Sequence, residues 1–193
     1  VSWNSFVLLK VDWRAVCYLS FGNGLQVNFQ AQQTQNNTLL MELTYRLATE
    51  SDLIEIVRML SDDALGSKRE QLSLPLPATY LRAFEQIDAD PNQELMVVER
   101  AGYVVATFQL SFIQYLTYQG GIRAQIEAVR VKANYRGEGI GRAIVDYAID
   151  RSRLKGAHLL QLTTDKERPD AKRFYESLGF VASHEGMKLH LNA

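Results

Sequence analysis

From Leu43 onward, apolar and polar positions keep two rhythms: a two-residue alternation that marks strands and a three-to-four-residue spacing that marks helices. Leu43, Tyr45 and Leu47 alternate with polar residues and predict a first strand. Thr49 or Ser51 stands where a helix cap belongs, ahead of Leu53, Ile54, Ile56, Val57 and Leu60 on one apolar side. "SDDALGSKREQLSLPLP" reads as a polar connection with a short helix, and "ATYLRAFEQIDAD" as a second helix ending before Pro91. The runs "ELMVVER" and "YVVATFQLSFIQYL" predict a hairpin turning at Ala101-Gly102, with "GGIRAQIEAVRV" as the third strand of that meander. A glycine-rich loop then feeds a helix that runs to Leu154 and stops at Gly156. "AHLLQLTT" predicts a further strand, "PDAKRFYESLG" a helix closed by Gly179, and "GMKLHL" a last strand. Meandering strands followed by a βαβα half make a mixed α/β (α+β) chain, without a repeat of roughly 20 to 50 residues.

Residues 1–40 lack these rhythms. They are aromatic-rich at first and end in "QVNFQAQQTQNNTLL", a Gln/Asn stretch with neither period. The working domain is therefore expected over residues 41–193, opening at Met41. Residues 1–40 are expected to be an extension outside it, as a start codon assigned too far upstream would produce.

At 193 residues and 47% hydrophobic, the chain can bury one full core. A net charge of -1 provides no broad basic field for nucleic acid or anionic lipid, so neither is expected as a partner and any phosphate binding must be local. Cys17 is the single cysteine; it cannot form an internal disulfide or a multi-thiolate zinc site, and it fits a reducing, cytoplasmic setting. His158, His184 and His190 lack metal spacing, so no metal is expected. The apolar run at 5–21 is broken by Lys10, Asp12 and Arg14, which argues against a membrane span.

"NYRGEGIGRAIVDYA" places three glycines at alternate positions where a loop enters a helix. Such a helix mouth offers unpaired amides and the positive end of the dipole, a place that phosphate binds readily. Gly137, Gly139 and Gly141 remove Cβ atoms that would hold a diphosphate off, and Arg136 and Arg142 add charge. A glycine-rich surface turn is the bland alternative. A Walker A loop would need Gly-Lys-Ser/Thr, whereas Gly141 is followed by Arg142 and Ala143. A dinucleotide fingerprint, with Asp165 as its ribose acid, lacks its last glycine.

The segment "VRVKANYRGEGIGRAIVDYAI" resembles the acetyl-CoA loop of the GCN5-related N-acetyltransferase (GNAT) family, with Arg136, Gly139 and Gly141 meeting its pattern. "DAKRFYESLGF" resembles that family's later helix with its Tyr-x-x-x-Gly-Phe ending. The resemblance spans roughly Thr44 to Leu191. It implies a strongly twisted, mostly antiparallel sheet that splays open at its middle, flanked by helices, with acetyl-CoA as co-substrate in the cleft. By the same resemblance, backbone groups of Val129, Arg130 and Val131 pair the pantetheine arm, and the amides of Gly137, Glu138, Gly139, Ile140, Gly141 and Arg142 hold the pyrophosphate. A homodimer is suggested by the resemblance alone. Where many relatives carry Asn seven residues before the tyrosine, this chain has Arg168, which leaves that cofactor contact open.

The implied chemistry is transfer of acetyl to a primary amine by direct attack in a ternary complex. An alkylamine with a pKa of about 10.4 is only about one part in a thousand neutral at pH 7, so a base must help. Glu127, on the strand expected to line the cleft, is the candidate base; its plainer reading is an exposed strand residue paired with Arg123 or Arg130. The oxyanion calls for a fixed N–H donor, which the resemblance puts at a bulge near Val129. Tyr175 is the candidate partner of the leaving thiolate; its plainer reading is packing beside Phe174 and Phe180. Asp62, Asp63 and Glu70 are candidates for meeting a cationic amine, or simply a solvated surface, and the hairpin tip near Tyr118–Gly121 is a second candidate acceptor contact. Two other classes stay open: a non-catalytic acyl-CoA sensor that keeps the phosphate loop, and a nicotinamide-dependent oxidoreductase.

Overall fold

The computed structural model describes residues 43–62 and 64–191; the expected extension over residues 1–40, Met41, Cys17 and Asp63 lie outside the described residues. Strand β1 (Leu43–Leu47) leads through a 3-10 turn at Glu50–Asp52 into α1 (Leu53–Ser61). Of the two candidate caps Thr49 caps the 3-10 turn, while the N-cap of α1 itself is Asp52: the Thr49 N–H donates to Asp52 Oδ2 at 2.7 Å, and the Asp52 N–H returns a bond to the Thr49 carbonyl at 2.9 Å. The expected short helix in the following connection is a single 3-10 turn, Gly66–Lys68. Helix α2 (Ala78–Ala89) ends at Asp90, where Pro91 cannot continue it.

The meander consists of β2 (Gln93–Arg100), β3 (Tyr103–Gln114) and β4 (Ile122–Val131). Ala101 and Gly102 both take positive φ, 50° and 79°, the backbone that a two-residue hairpin turn requires. Helix α3 (Ile140–Leu154), strand β5 (Ala157–Gln161) and helix α4 (Pro169–Ser177) complete the chain's regular structure. The five strands lie in sequence order; the first three pairings are antiparallel, and β4–β5 is parallel. A mostly antiparallel mixed sheet flanked by helices is the expected α+β architecture.

Side-chain alternation gives the sheet two apolar faces. On one, Met96, Val98, Phe108, Leu110, Ala124 and Ile126 pack with Ile140, Ile144 and Ala148 of α3. On the other, Val97, with Leu95 and Val104, meets Ile56 and Leu60 of α1 and Phe84 of α2. The loops entering α3 and leaving α1 therefore meet at the C-terminal end of β4.

Three expectations are corrected. Ile54 is 38% exposed and Met59 is buried instead, because the apolar stripe that α1 turns to the sheet is rotated about the helix axis from the one the sequence spacing suggested. Strand β5 stops at Gln161, short of Leu162–Thr164. No strand forms over 186–191: Met187, Leu189 and Leu191 alternate correctly but stay exposed, and without a ladder partner or a surface to cover, a period-two pattern makes no strand.

Candidate active site

The glycine loop has the geometry its sequence promised. Gly137 and Gly139 stand at φ 83° and 84°, and a Cβ added at Gly137 would meet nothing within 4 Å. Gly139 caps α3, and the first helical bond runs from the Ala143 N–H to the Gly139 carbonyl at 3.0 Å. The amides of Ile140, Gly141 and Arg142 thus have no partner inside the helix, and the positive end of a fifteen-residue helix stands behind them. At Gly141 a Cβ would come to an ordinary van der Waals distance of Phe174 Cζ, 3.4 Å, so α4 lies beside the mouth of α3.

Ion pairs hold the loop in place. Arg136 donates through Nη2 to Asp62 Oδ2 at 2.7 Å and through Nε to the Val131 carbonyl at 3.0 Å. Lys132 pairs with Glu55 of α1 at 2.7 Å, and Glu138 pairs with Arg100 at the end of β2. Arg142 projects outward, 65% exposed, within 4.0 Å of Asp146. Each charged side chain of the loop thus has a partner of opposite sign, and Arg136 and Arg142 remain half or more exposed.

Strand β4 leads into this loop and is irregular where it counts. Thr107 pairs with Arg130 but Gln109 with Glu127, so Ala128 and Val129 together face the single residue Phe108. That is a β-bulge, and Ala128 takes φ 53° to make it. The bulge changes the strand's parity: Ala124 and Ile126 pack against the α3 core, and beyond it so do Val129 and Val131. The parallel pairing with β5 also ends here, running from Ile122↔Ala157 to Gln125↔Gln161. From Ile126 onward β4 has no paired residue on its parallel neighbour, since β5 ends at Gln161. In that stretch the Val129 carbonyl accepts from Arg130 Nη1 at 2.9 Å, and the Val131 carbonyl is the one held by Arg136.

Glu127 is exposed on the opposite face from the α3 core, one residue before the bulge. Its carboxylate accepts from Gln125 Nε2 at 2.6 Å, and Gln125 Oε1 accepts in turn from Gln161 Nε2 at 2.8 Å. Of the two pairing partners in the plainer reading, Arg123 lies over the Tyr115 ring, 5.2 Å from its centroid, and Arg130 donates to the Val129 carbonyl.

Tyr175 sits on α4 with its ring edge-on to both Phe174 and Phe180, centroids 5.1 and 5.6 Å away. The aromatic packing is real and compatible with a chemical role. Burial pushes the Tyr175 phenol above its ordinary value near 10, while the charges of Arg130 and Arg168 pull it back. Those two charges tie Tyr175 to the far end of β4, and they put Arg168, at the N-cap of α4, in the same neighbourhood. The hydroxyl therefore stays protonated at neutral pH.

Of the acidic residues considered for an amine, Asp62 is engaged by Arg136, and Glu70 accepts from the Tyr80 hydroxyl at 2.9 Å. The hairpin tip is a tight turn at Thr117–Gly120, with Tyr118 and Gln119 in the left-handed region at φ 51° and 58°. His158 is structural at this end of the sheet, bonded to the Ile122 carbonyl at 2.9 Å and to the Tyr115 hydroxyl at 2.8 Å. Among the described residues no three His, Cys, Asp or Glu side chains group as a metal site would require, and no helix is long and apolar enough to cross a membrane. The Gln125–Gln161 contact and the Asp62–Arg136 pair were missed by sequence reasoning, since each joins residues far apart in the chain.

Residues 57–180 match the model of the Acetyltransferase (GNAT) family. The chain is 30% identical over 150 residues to the glucosamine 6-phosphate N-acetyltransferase of Trypanosoma brucei brucei, covering 73% of this chain and 99% of that one. It is 34% identical over 95 residues to the aminoalkylphosphonate N-acetyltransferase of Salmonella typhimurium, covering 49% of this chain and 61% of that one. Among solved structures, a protein described as a transcriptional regulator from Bacillus halodurans C-125 superposes with a TM-score of 0.75 at 54% identity, covering 77% of this chain and 99% of the other.

Proposed function

Because the chain belongs to the GNAT family of acetyltransferases, we propose that it transfers acetyl from acetyl-CoA to a primary amine by direct attack in a ternary complex. The observation that carries this reading is the bulge at Ala128–Val129, set between Glu127 and the glycine loop on a strand that has parted from its neighbour. The residues present fit the cofactor: the glycine mouth is open where Cβ atoms would intrude, and its outward amides suit a diphosphate. Gly137, Glu138, Gly139, Ile140, Gly141 and Arg142 would hold the diphosphate, and backbone groups of Val129, Arg130 and Val131 the arm that follows it. Acetyl-CoA, when bound, supplies an acyl group activated as a thioester.

The protein's own groups divide the remaining work. Glu127 takes a proton from the incoming ammonium, directly or through water; its exposure lets the amine reach it. A backbone N–H freed by the bulge donates to the oxygen on which negative charge develops. Tyr175 Oη donates a hydrogen bond to the departing sulfur. Its raised pKa, set against about 8.5 for a free thiol, favours that hydrogen bond over full proton transfer.

The acceptor, a small-molecule or peptide amine, is met on the α1–α2 side of the sheet, where Glu127 faces. The test measures thiol release from acetyl-CoA across an amine panel that includes glucosamine 6-phosphate and an aminoalkylphosphonate, the compounds for which two relatives are named. Glu127→Gln and Tyr175→Phe are run alongside. Turnover on one amine class, cut by roughly 100-fold in Glu127→Gln and roughly tenfold or more in Tyr175→Phe, supports the reading. A second reading is favoured by the regulator from Bacillus halodurans: tight acetyl-CoA binding without turnover on any amine would make this chain a non-catalytic acyl-CoA sensor.

A further inference from the structure

We infer that Gln125 and Gln161 are positioning residues for the Glu127 carboxylate, forming a one-way carboxamide relay anchored where β4 and β5 part. The inference rests on the proposed role of Glu127 as the base. Glu127 stands on the stretch of β4 that has already lost its parallel neighbour, and its cross-strand neighbour on β3 is Gln109. Gln109 is committed elsewhere, donating to Gln93 Oε1 at 2.7 Å. An exposed carboxylate there would otherwise sample several rotamers, and a base that must meet a proton at hydrogen-bond distance loses rate for each wrong one.

The polarity of the relay is fixed by the carboxylate. An ionised carboxylate only accepts, so the Gln125 atom facing it at 2.6 Å must be Nε2. Oε1 of the same amide must then face a donor, and Gln161 Nε2 meets it at 2.8 Å. Gln125 and Gln161 are also the last paired residues of the two strands. The bridge therefore sits on the last β4–β5 pair and fixes the carboxylate of Glu127, two residues further along β4, where only β3 remains beside the strand.

The test uses the full chain, acetyl-CoA and the fastest amine of the panel, with kcat and both KM values measured for Gln125→Met, Gln161→Met, Gln161→Glu, Glu127→Gln and the double variant Gln125→Met/Glu127→Gln. Gln125→Met is expected to lower kcat by about tenfold, with KM for acetyl-CoA unchanged, in keeping with one hydrogen bond to a charged group. Gln161→Met should lose less. Gln161→Glu should lose more than Gln161→Met, because a carboxylate facing Oε1 turns the Gln125 amide the wrong way. In the Glu127→Gln background Gln125→Met should change kcat by less than about twofold, as coupled neighbours do. If Gln125→Met fails to fold, the Gln161 variants carry the same comparison from the end of β5. An absence of turnover, or a Glu127→Gln variant as fast as the wild type, overturns the proposed base and the relay with it. A damaged Glu127→Gln together with harmless or fully additive glutamine variants overturns the relay alone.

Discussion

Asp62, just past the end of α1, holds the guanidinium of Arg136 at 2.7 Å, although both side chains are about half exposed. An ion pair so wet stabilises the fold by no more than about 1 kcal/mol, whereas the same arginine facing a diphosphate would make charge-assisted bonds to a doubly charged partner. Asp62 therefore keeps the arginine in place without outcompeting the ligand. Asp62→Ala is expected to leave the melting temperature nearly unchanged and to tighten acetyl-CoA binding a few-fold, whereas Arg136→Ala weakens it by roughly tenfold. Isothermal titration at two salt concentrations checks both. The affinity of the wild type should fall as salt rises, and that of Arg136→Ala should fall less steeply.

Gly141 separates stability from binding. Its φ lies outside the left-handed region, and a Cβ would make only ordinary contact with Phe174. Alanine is the better helix former by up to about 1 kcal/mol, so Gly141→Ala is expected to hold or raise the melting temperature. Yet the new methyl would stand among the amides that open toward the ligand, and acetyl-CoA affinity is expected to drop by tenfold or more, on the order of 1.4 kcal/mol. Thermal unfolding without ligand and titration with it give the two readings. A variant that is stabilised and binds as tightly as the wild type would show that the diphosphate does not approach this backbone.

Much of this was legible because the chemistry is local. The alternation of Leu43, Tyr45 and Leu47, the turn at Ala101-Gly102 and the glycines before α3 each depend on a few neighbouring residues. The bulge was legible in principle as well: apolar positions sit at Ala124 and Ile126 and then shift parity to Val129 and Val131, which a regular strand cannot place on one face. The parting of β4 from β5 was legible only through the family resemblance, since it depends on where Gln161 ends its strand. The fate of Met187, Leu189 and Leu191 was not legible, since their pattern says only what a strand would look like if a partner were beside it.

The entrance to α1 sets a pH dependence. Arg46 hydrogen-bonds to Asp52 at 2.7 and 2.9 Å, and with the Thr49 contacts it holds the Asp52 carboxyl down at about 2. A folded-state pKa below the unfolded one contributes stability that is fully present above the unfolded value, near 3.8, and is lost as pH falls through about 2. With Arg46 partly solvated, the contribution is about 1 to 2 kcal/mol. Asp52→Asn is expected to cost that much at pH 7 in urea unfolding. Its stability should also fall less between pH 4 and pH 2 than that of the wild type, so the two curves converge toward the acid end.

Ala128 is the residue whose backbone makes the bulge, and at φ 53° it pays for the shape that glycine would adopt freely. The left-handed region costs an alanine roughly 1 to 2 kcal/mol, against roughly 0.5 to 1 kcal/mol of extra chain entropy that glycine loses on folding. Ala128→Gly is therefore expected to be neutral or to stabilise by less than about 1 kcal/mol, with kcat near the wild-type value because the bulge is kept. A β-branched residue fares worse in this region, so Ala128→Val must either bear the strain or flatten the bulge. Flattening would slide Val129 and Val131 to the other face, out of the core they share with Ile126, and return the freed N–H to the ladder. Ala128→Val is expected to lose roughly 2 kcal/mol of stability and most of its kcat, while binding acetyl-CoA through the intact glycine loop within a few-fold of normal. Urea unfolding, steady-state kinetics and titration on the same three proteins decide it. An Ala128→Val enzyme whose crystal structure shows the bulge flattened and whose kcat is nonetheless full would mean that no backbone donor at this bulge takes part in the transfer.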